Sequence, residues 1–228
     1  NILESSKYLD IEQTILTSTS EVYGSAKYVP IDEKHPLSAQ SPYSASKISA
    51  DQLAISYWNS FQLPIKIIRP FNIYGPRQSI RAVIPSIIVQ ALNNKDEIKL
   101  GNIAPSRDFT YVTDTCNAFL NILKIKNFFG NVLNVGSNNE YSIEDIAKKI
   151  LAKLNSKANI KKEAQRTRST KSEVVRLVCD NSKILKHTQW RPEIKIEKST
   201  GKSANDLLSV SNELKDSCYQ FAARVVTG

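Results

Sequence analysis

The chain has 228 residues, 41% of them hydrophobic, with a formal charge of +9. That apolar content supports a packed core in one large domain or two small ones. No apolar run reaches the roughly 18 to 20 residues that cross a bilayer, and the opening NILESSKYLD lacks the basic start and apolar middle of a signal peptide, so a cytoplasmic address with no membrane partner is expected. Cys116, Cys179 and Cys218 stand too far apart to suggest a disulfide framework or a thiolate metal site. The charge is regional: residues 147 to 202 hold 16 Lys or Arg against 5 Asp or Glu, so the rest of the chain is close to neutral. Without interleaved aromatic residues or a zinc pattern, that region reads as solvated surface or as a site for a small anion, and nucleic acid is not expected as a partner.

In chain order, NILESSKYL reads as the end of a helix and QTILTST (13 to 19) as a short β-branched strand. A loop rich in turn formers follows, and Pro42 either ends it or sets the first turn of an amphipathic helix running from Tyr43 to about Phe61. LPIKIIRPF (63 to 71) is a nearly continuous apolar run bounded by prolines, as in a strand covered on both faces. Strand, helix and strand in that order predict parallel pairing across a right-handed crossover, hence an α/β fold. NIYGPRQ is expected to be a turn leading into a helix over 83 to 93, with DEIKL (96 to 100) as an edge strand. SRDFTYVTD should place a strand or loop before a helix of about 114 to 125, and GNVLNVGS should be another buried strand. SIEDIAKKILAKL has Ser142 three residues before Asp145, an N-cap with an acidic first turn. No internal repeat is present, and residues 198 to 228 are only weakly periodic.

Tyr43 and Lys47 are four apart, so a helix sets them on one face with Cβ atoms about 5 to 6 Å apart. A cation beside a phenol favours the phenolate, which is what a general base acting on a sugar hydroxyl requires. Alone, the pair is far commoner as two residues of an ordinary amphipathic helix. Upstream, Thr19, Ser20 and Glu21 end the first strand, where open α/β sheets bind ligands. Downstream, RPFNIYGPRQ follows the second strand, and Arg107 of SRDFTYVTD could fork onto a phosphate.

The stretches TSTSEVYG, SPYSASK, RPFNIYGPRQ, RDFTYVTD, VLNVGS and EVVRLVCDNSKI, in this order, resemble the extended short-chain dehydrogenases/reductases that act on nucleotide sugars: epimerases, 4,6-dehydratases and decarboxylases. The resemblance covers about residues 1 to 197. It implies part of a doubly wound Rossmann-type sheet (1–70 and 112–136), keeping about three strands, and a smaller α/β nucleotide-sugar domain (71–111 and 137–197). It also implies NAD as cofactor, a nucleotide-diphosphate sugar as substrate, and a homodimer through the long helix in the full-length protein. Tyr43 is similar to the catalytic base, Lys47 to its partner on the nicotinamide ribose, Thr19 to the hydroxyl that binds the sugar 4-oxygen, and Glu21 to the dehydratase base at C5. Ser20 joins this catalytic string, and Pro70 falls at a cofactor-binding position. Asn72, Arg81, Arg107 and Arg176 resemble residues that hold the nucleotide sugar.

Glucose-type dehydratases usually carry Asp before the Glu, where this chain has Ser20. Thr-Ser-Glu resembles both GDP-mannose-type dehydratases and UDP-glucuronate decarboxylases. LGNIAPSRDF resembles the Leu-Gly-Asn loop of dehydratases more than the Gly-x-Gly loop of decarboxylases, and GPRQSIRAVIPSII with KSEVVRLVCDNSKI resembles UDP-N-acetylglucosamine 4,6-dehydratases of the legionaminic-acid type, so 4,6-dehydration is expected, with decarboxylation or epimerisation as alternatives. The glycine-rich fingerprint and the acidic residue that would meet the adenosine ribose are not in this sequence. About 110 residues of a complete member are therefore expected to precede it, and the isolated chain is expected to have little or no activity. A non-catalytic interaction module built from part of such a fold is the remaining alternative.

Overall fold

The computed structural model describes residues 1–93, 96–163 and 174–196. Cys218 and the weakly periodic stretch 198 to 228 lie outside them. Helix α1 (Ile2–Tyr8) leads to strand β1 (Thr14–Thr17), a 3-10 turn (Ser20–Tyr23), helix α2 (Pro42–Phe61) and strand β2 (Ile65–Pro70). β1 and β2 pair in parallel, Thr14 opposite Ile65 through Thr17 opposite Ile68. Strand β6 (Val132–Val135) pairs in parallel on the other side of β2, giving the order β1-β2-β6 and the three parallel strands expected.

Both faces of this sheet are covered. Ile65 and Ile67 pack with Ala54, Ile55 and Trp58 of α2 on one side. Ile68, Leu133 and Val135 pack on the other side with Ala118 and Ile122 of helix α4 (Val112–Lys124), Ile184 of helix α6 (Ser182–His187) and the buried Trp190. Alternation along a strand sends successive side chains to opposite faces, so a sheet with two apolar faces needs the nearly unbroken apolar run of β2.

α2 begins one residue earlier than the apolar pattern predicts. Ser41 caps the Ser44 backbone N–H and Ser44 answers on the Ser41 N–H, with Pro42 in the first turn. NIYGPRQ, expected to be a turn, instead begins with a short strand, β3 (Asn72–Tyr74), before the turn at Gly75. Its partner is β5 (Ser106–Tyr111), which runs directly into α4. β5 also carries antiparallel β7 (Glu140–Ser142) and parallel β9 (Arg176–Leu177). Helices α3 (Val83–Asn93) and α5 (Ile143–Lys153) enclose a separate core with Tyr74, Ile98, Phe109, Ile146 and Ile150. The edge strand read in DEIKL is β4 (Glu97–Leu100), paired with β8 (Asn159–Lys162) in a two-stranded parallel sheet. The capping box of Ser142 and Asp145 at α5 is formed as the sequence predicts.

Asp108, fully buried on β5, ties the two sheets together. Its carboxylate accepts from the Ser137 N–H (2.8 Å) and hydroxyl (2.6 Å), the Asn138 N–H (2.8 Å) and the Cys179 N–H (3.2 Å). Burial pushes its pKa up, and the four donors oppose that shift. Asp108→Asn turns one acceptor into a donor facing backbone N–H groups. It is expected to cost about 1 to 3 kcal/mol, measurable by urea unfolding.

Candidate active site

β1 ends opposite Ile68, two residues before β2 ends at Pro70, and the chain leaving each supplies one wall of the site. After Thr17, the backbone passes Ser18 and Thr19 and turns. The Thr19 hydroxyl accepts from the Glu21 N–H (3.2 Å) as the cap of the 3-10 turn. Gly24 closes that turn at φ +63, and a Cβ there would lie 2.5 Å from the Ser38 carbonyl oxygen, so glycine is required. From the other side comes the start of α2, whose first turn presents Tyr43, 54% exposed. One turn on, Lys47 Nζ donates to the Thr17 carbonyl oxygen (2.9 Å), fastening the helix to the end of β1.

Thr19, Ser20, Glu21, Gln40, Ser41, Tyr43, Phe71 and Asn72 wall a cavity of about 610 Å³. A second cavity, of about 380 Å³, extends toward α3 and is lined by Arg81, Lys99, Asn102, Arg107 and Gln78 among others. Glu21 and Asn72 line both, so these two residues stand where the two spaces meet. The expected catalytic residues Thr19, Ser20, Glu21 and Tyr43 thus share one cavity, and the expected substrate residues Asn72, Arg81 and Arg107 share the other. The Asn72 Oδ1 is buried without a hydrogen-bond partner.

Three expected site residues line neither space: Lys47, whose ammonium reaches the Thr17 carbonyl oxygen, Pro70 and Arg176. Pro70 ends β2, buried opposite Val135. Arg176 is held by Glu140 in a bidentate pair, Nε to Oε1 and Nη2 to Oε2 at 2.7 Å each, which raises the arginine pKa and lowers that of the carboxylate. The Ser106 hydroxyl donates to the same carboxylate.

Beneath the site lies a polar network absent from the sequence reading. The Ser18 hydroxyl donates to Asp51 Oδ2 (2.9 Å), and Arg69 Nε and Nη2 reach the same oxygen (2.9 Å each). Arg69 Nη1 donates to the Tyr23 hydroxyl (3.0 Å), which donates to Asn134 Oδ1 (2.7 Å). Burial pushes the Tyr23 pKa up to about 12, partly offset by Arg69, so this tyrosine stays a neutral structural donor. Asp51 follows Lys47 by one helical turn, and that spacing was the available signal.

Among the described residues, no group of three His, Cys, Asp or Glu side chains could hold a metal ion, and no helix is long and apolar enough to cross a membrane.

Known proteins with this arrangement are Rossmann-like enzymes of nucleotide sugars. A dTDP-glucose 4,6-dehydratase from Bacillus anthracis, solved with NAD, superposes with a TM-score of 0.82 at 30% identity, covering 91% of this chain and 65% of that one. A UDP-glucuronic acid 4-epimerase from Bacillus cereus, solved with UDP-glucuronic acid and NAD, gives 0.84 at 28% identity, covering 92% and 65%. The chain belongs to the family described as GDP-mannose 4,6 dehydratase, whose model matches residues 1–202. Among curated relatives, the dTDP-D-glucose 4,6-dehydratase of Dictyostelium discoideum is 40% identical over 161 residues, 66% of this chain and 37% of that protein. The chain therefore spans well under half the length of that relative.

Proposed function

We propose that this chain carries the catalytic and substrate-binding residues of an NAD-dependent nucleotide-sugar 4,6-dehydratase. The observation that carries the reading is the position of Glu21. Glu21 lines both the cavity of Tyr43 and Thr19 and the cavity of Arg81 and Arg107, so a ligand with its diphosphate among the arginines can extend its sugar past Glu21 to Tyr43.

The residues present fit the nicotinamide-ribose end of NAD. Tyr43 is exposed on the wall of an ample cavity, and Lys47, bonded to the Thr17 carbonyl oxygen, has two further protons to donate. When bound, the cofactor supplies the hydride acceptor at sugar C4 and the hydride donor at C6. In this mechanism Tyr43 takes the proton of the C4 hydroxyl, with the Lys47 ammonium supplying positive charge one helical turn away. The Thr19 hydroxyl donates to the oxygen that becomes the C4 ketone. That ketone acidifies C5; Glu21 removes the C5 proton and passes it to the C6 hydroxyl, which leaves as water as the C5–C6 double bond forms. Arg81 and Arg107 hold the diphosphate by charge.

The sugar most consistent with the loop residues is a UDP-linked N-acetylhexosamine, although the curated relatives named above act, by their names, on dTDP-glucose. The similarity to UDP-glucuronic acid 4-epimerase supports epimerisation as a second reading. It needs no base at C5, so Glu21 distinguishes the two. The exposed Leu53 and Phe61 of α2 are compatible with a homodimer through that helix. With no glycine-rich fingerprint in its sequence to cradle the cofactor pyrophosphate, the chain by itself is expected to turn over little or no substrate.

Glu21→Gln, made in a protein that adds a glycine-rich cofactor segment before Asn1, tests the reading. Dehydration should fall about 10²- to 10⁴-fold while reduced nicotinamide still forms on mixing with substrate. Unchanged dehydration in the variant would overturn the assignment.

A further inference from the structure

A third cavity, of about 610 Å³, opens at the far end of the parallel sheet, between the last turns of α4 and α6. Its walls include Lys124, Lys126 and Asn127 from one helix end and Lys186, His187 and Gln189 from the other, and none of the described residues lining it is Asp or Glu. Lys183 Nζ donates to the Val132 carbonyl oxygen at the start of β6, and Lys66 Nζ, near the start of β2, reaches the Ile122 and Ile125 carbonyl oxygens of α4 and its continuation. The cavity thus lies at the amino ends of the strands, whereas Glu21 and Tyr43 lie past their carboxyl ends. The length of β2, roughly 20 Å for a strand of this size, separates the two. Helix C-termini ordinarily repel an anion, because their last carbonyl oxygens carry partial negative charge. Here those oxygens are engaged from within the fold. Lys66 and the Gln13 amide take the carbonyls of Ile122, Ile125 and Leu123, and Arg191 Nη1 takes those of Leu185 (3.2 Å) and Thr188 (3.3 Å).

The lysines on the open side are therefore left over. Among the described residues Lys124 and Lys186 have no ion pair, and Lys126 pairs with Glu12 (3.2 Å), whose side chain is 77% exposed and does not line the cavity. An exposed pair of this kind contributes little, so an anion in the cavity can take Lys126 from it. The cations come from two separate helix ends, so the matching ligand presents negative groups in more than one place. The amides of Asn127 and Gln189 add N–H donors suited to anionic oxygens. We propose that this cavity is a second anion site, which binds a small ligand carrying a diphosphate group, either free or esterified in a nucleotide. It shares no lining residue with the cavities of Tyr43 and Arg107 and does not rest on the nucleotide-sugar reading.

The test is amide NMR of the isotope-labelled 228-residue chain, titrated with inorganic pyrophosphate, with ADP and with an acidic peptide of glutamates. Pyrophosphate or ADP should shift the amides of residues 121–127 and 186–189 saturably. The double variant Lys124→Gln, Lys186→Gln should bind about tenfold more weakly. Both lysines are exposed, so its unfolding midpoint should match that of the unaltered chain; if it does not, Lys186→Gln alone should show a loss of about threefold. Glu12→Gln removes the competitor for Lys126 and should leave binding as tight or tighter. Tighter binding of ADP assigns the site to nucleotides, and tighter binding of pyrophosphate assigns it to the free anion. No saturable shift at these amides, a folded variant of unchanged affinity, or a glutamate peptide bound as tightly as pyrophosphate would each overturn the proposal.

Discussion

Tyr43→Phe, in a protein completed by a glycine-rich cofactor segment, is expected to lower turnover of a nucleotide sugar by about 10²- to 10⁴-fold, the range of a lost general base. The substitution removes one oxygen. Tyr43 is 54% exposed and its hydroxyl makes no hydrogen bond among the described residues, so the fold should be untouched and unfolding midpoints should coincide. Affinity for the substrate should change little, because Arg81 and Arg107 hold the diphosphate in the other cavity. The sharpest contrast is with Glu21→Gln. Tyr43→Phe should stop formation of reduced nicotinamide, whereas Glu21→Gln should permit it and block the loss of water. Stopped-flow absorbance of reduced nicotinamide, read beside product formation, measures both.

The largest effect on stability is expected at Arg69. Asp51 and Arg69 are buried, with side chains 0% and 3% exposed, and the carboxylate has only the Ser18 hydroxyl besides the guanidinium. Arg69→Met strands a buried carboxylate and also removes a donor to the Tyr23 hydroxyl. A cost of about 3 to 5 kcal/mol is expected, seen as a fall in the urea midpoint at unchanged slope. Adding Asp51→Leu should recover much of it, since an apolar pair of similar volume needs no desolvation repaid. Ser18 immediately precedes Thr19, and Asp51 lies one turn after Lys47. The double variant should therefore regain stability faster than activity.

The parallel sheet was legible because its strands announce themselves locally. β1 is β-branched, β2 is apolar between prolines, and α2 carries its apolar residues on one face. The same local view hid the charges inside β2. Lys66 and Arg69 look like interruptions of an apolar run. Each is satisfied by residues distant in sequence: Arg69 by Asp51, and Lys66 by Gln13 and the carbonyl oxygens of Ile122 and Ile125 at the end of α4. β3, β7 and β9 escaped notice because strands of two or three residues hold no periodicity to read. α4 starts at Val112 rather than 114 because β5 enters it with no glycine or proline between them.

At the site, Thr19, Glu21, Tyr43 and Arg107 were legible from residue types at strand and helix ends, Asn72 and Arg81 only through the family resemblance, and all six wall two adjoining cavities. Arg176 illustrates the limit. An arginine in the right stretch suits an anionic ligand on the page, yet its guanidinium is held by Glu140.

The most direct measurement is mass spectrometry of a UDP-linked N-acetylhexosamine, and of dTDP-glucose, incubated in heavy water with NAD and the protein completed before Asn1. The account predicts a product lighter by one water that carries one solvent deuterium at C5, absent with Glu21→Gln. A product of unchanged composition, inverted at C4 and free of deuterium, would contradict it.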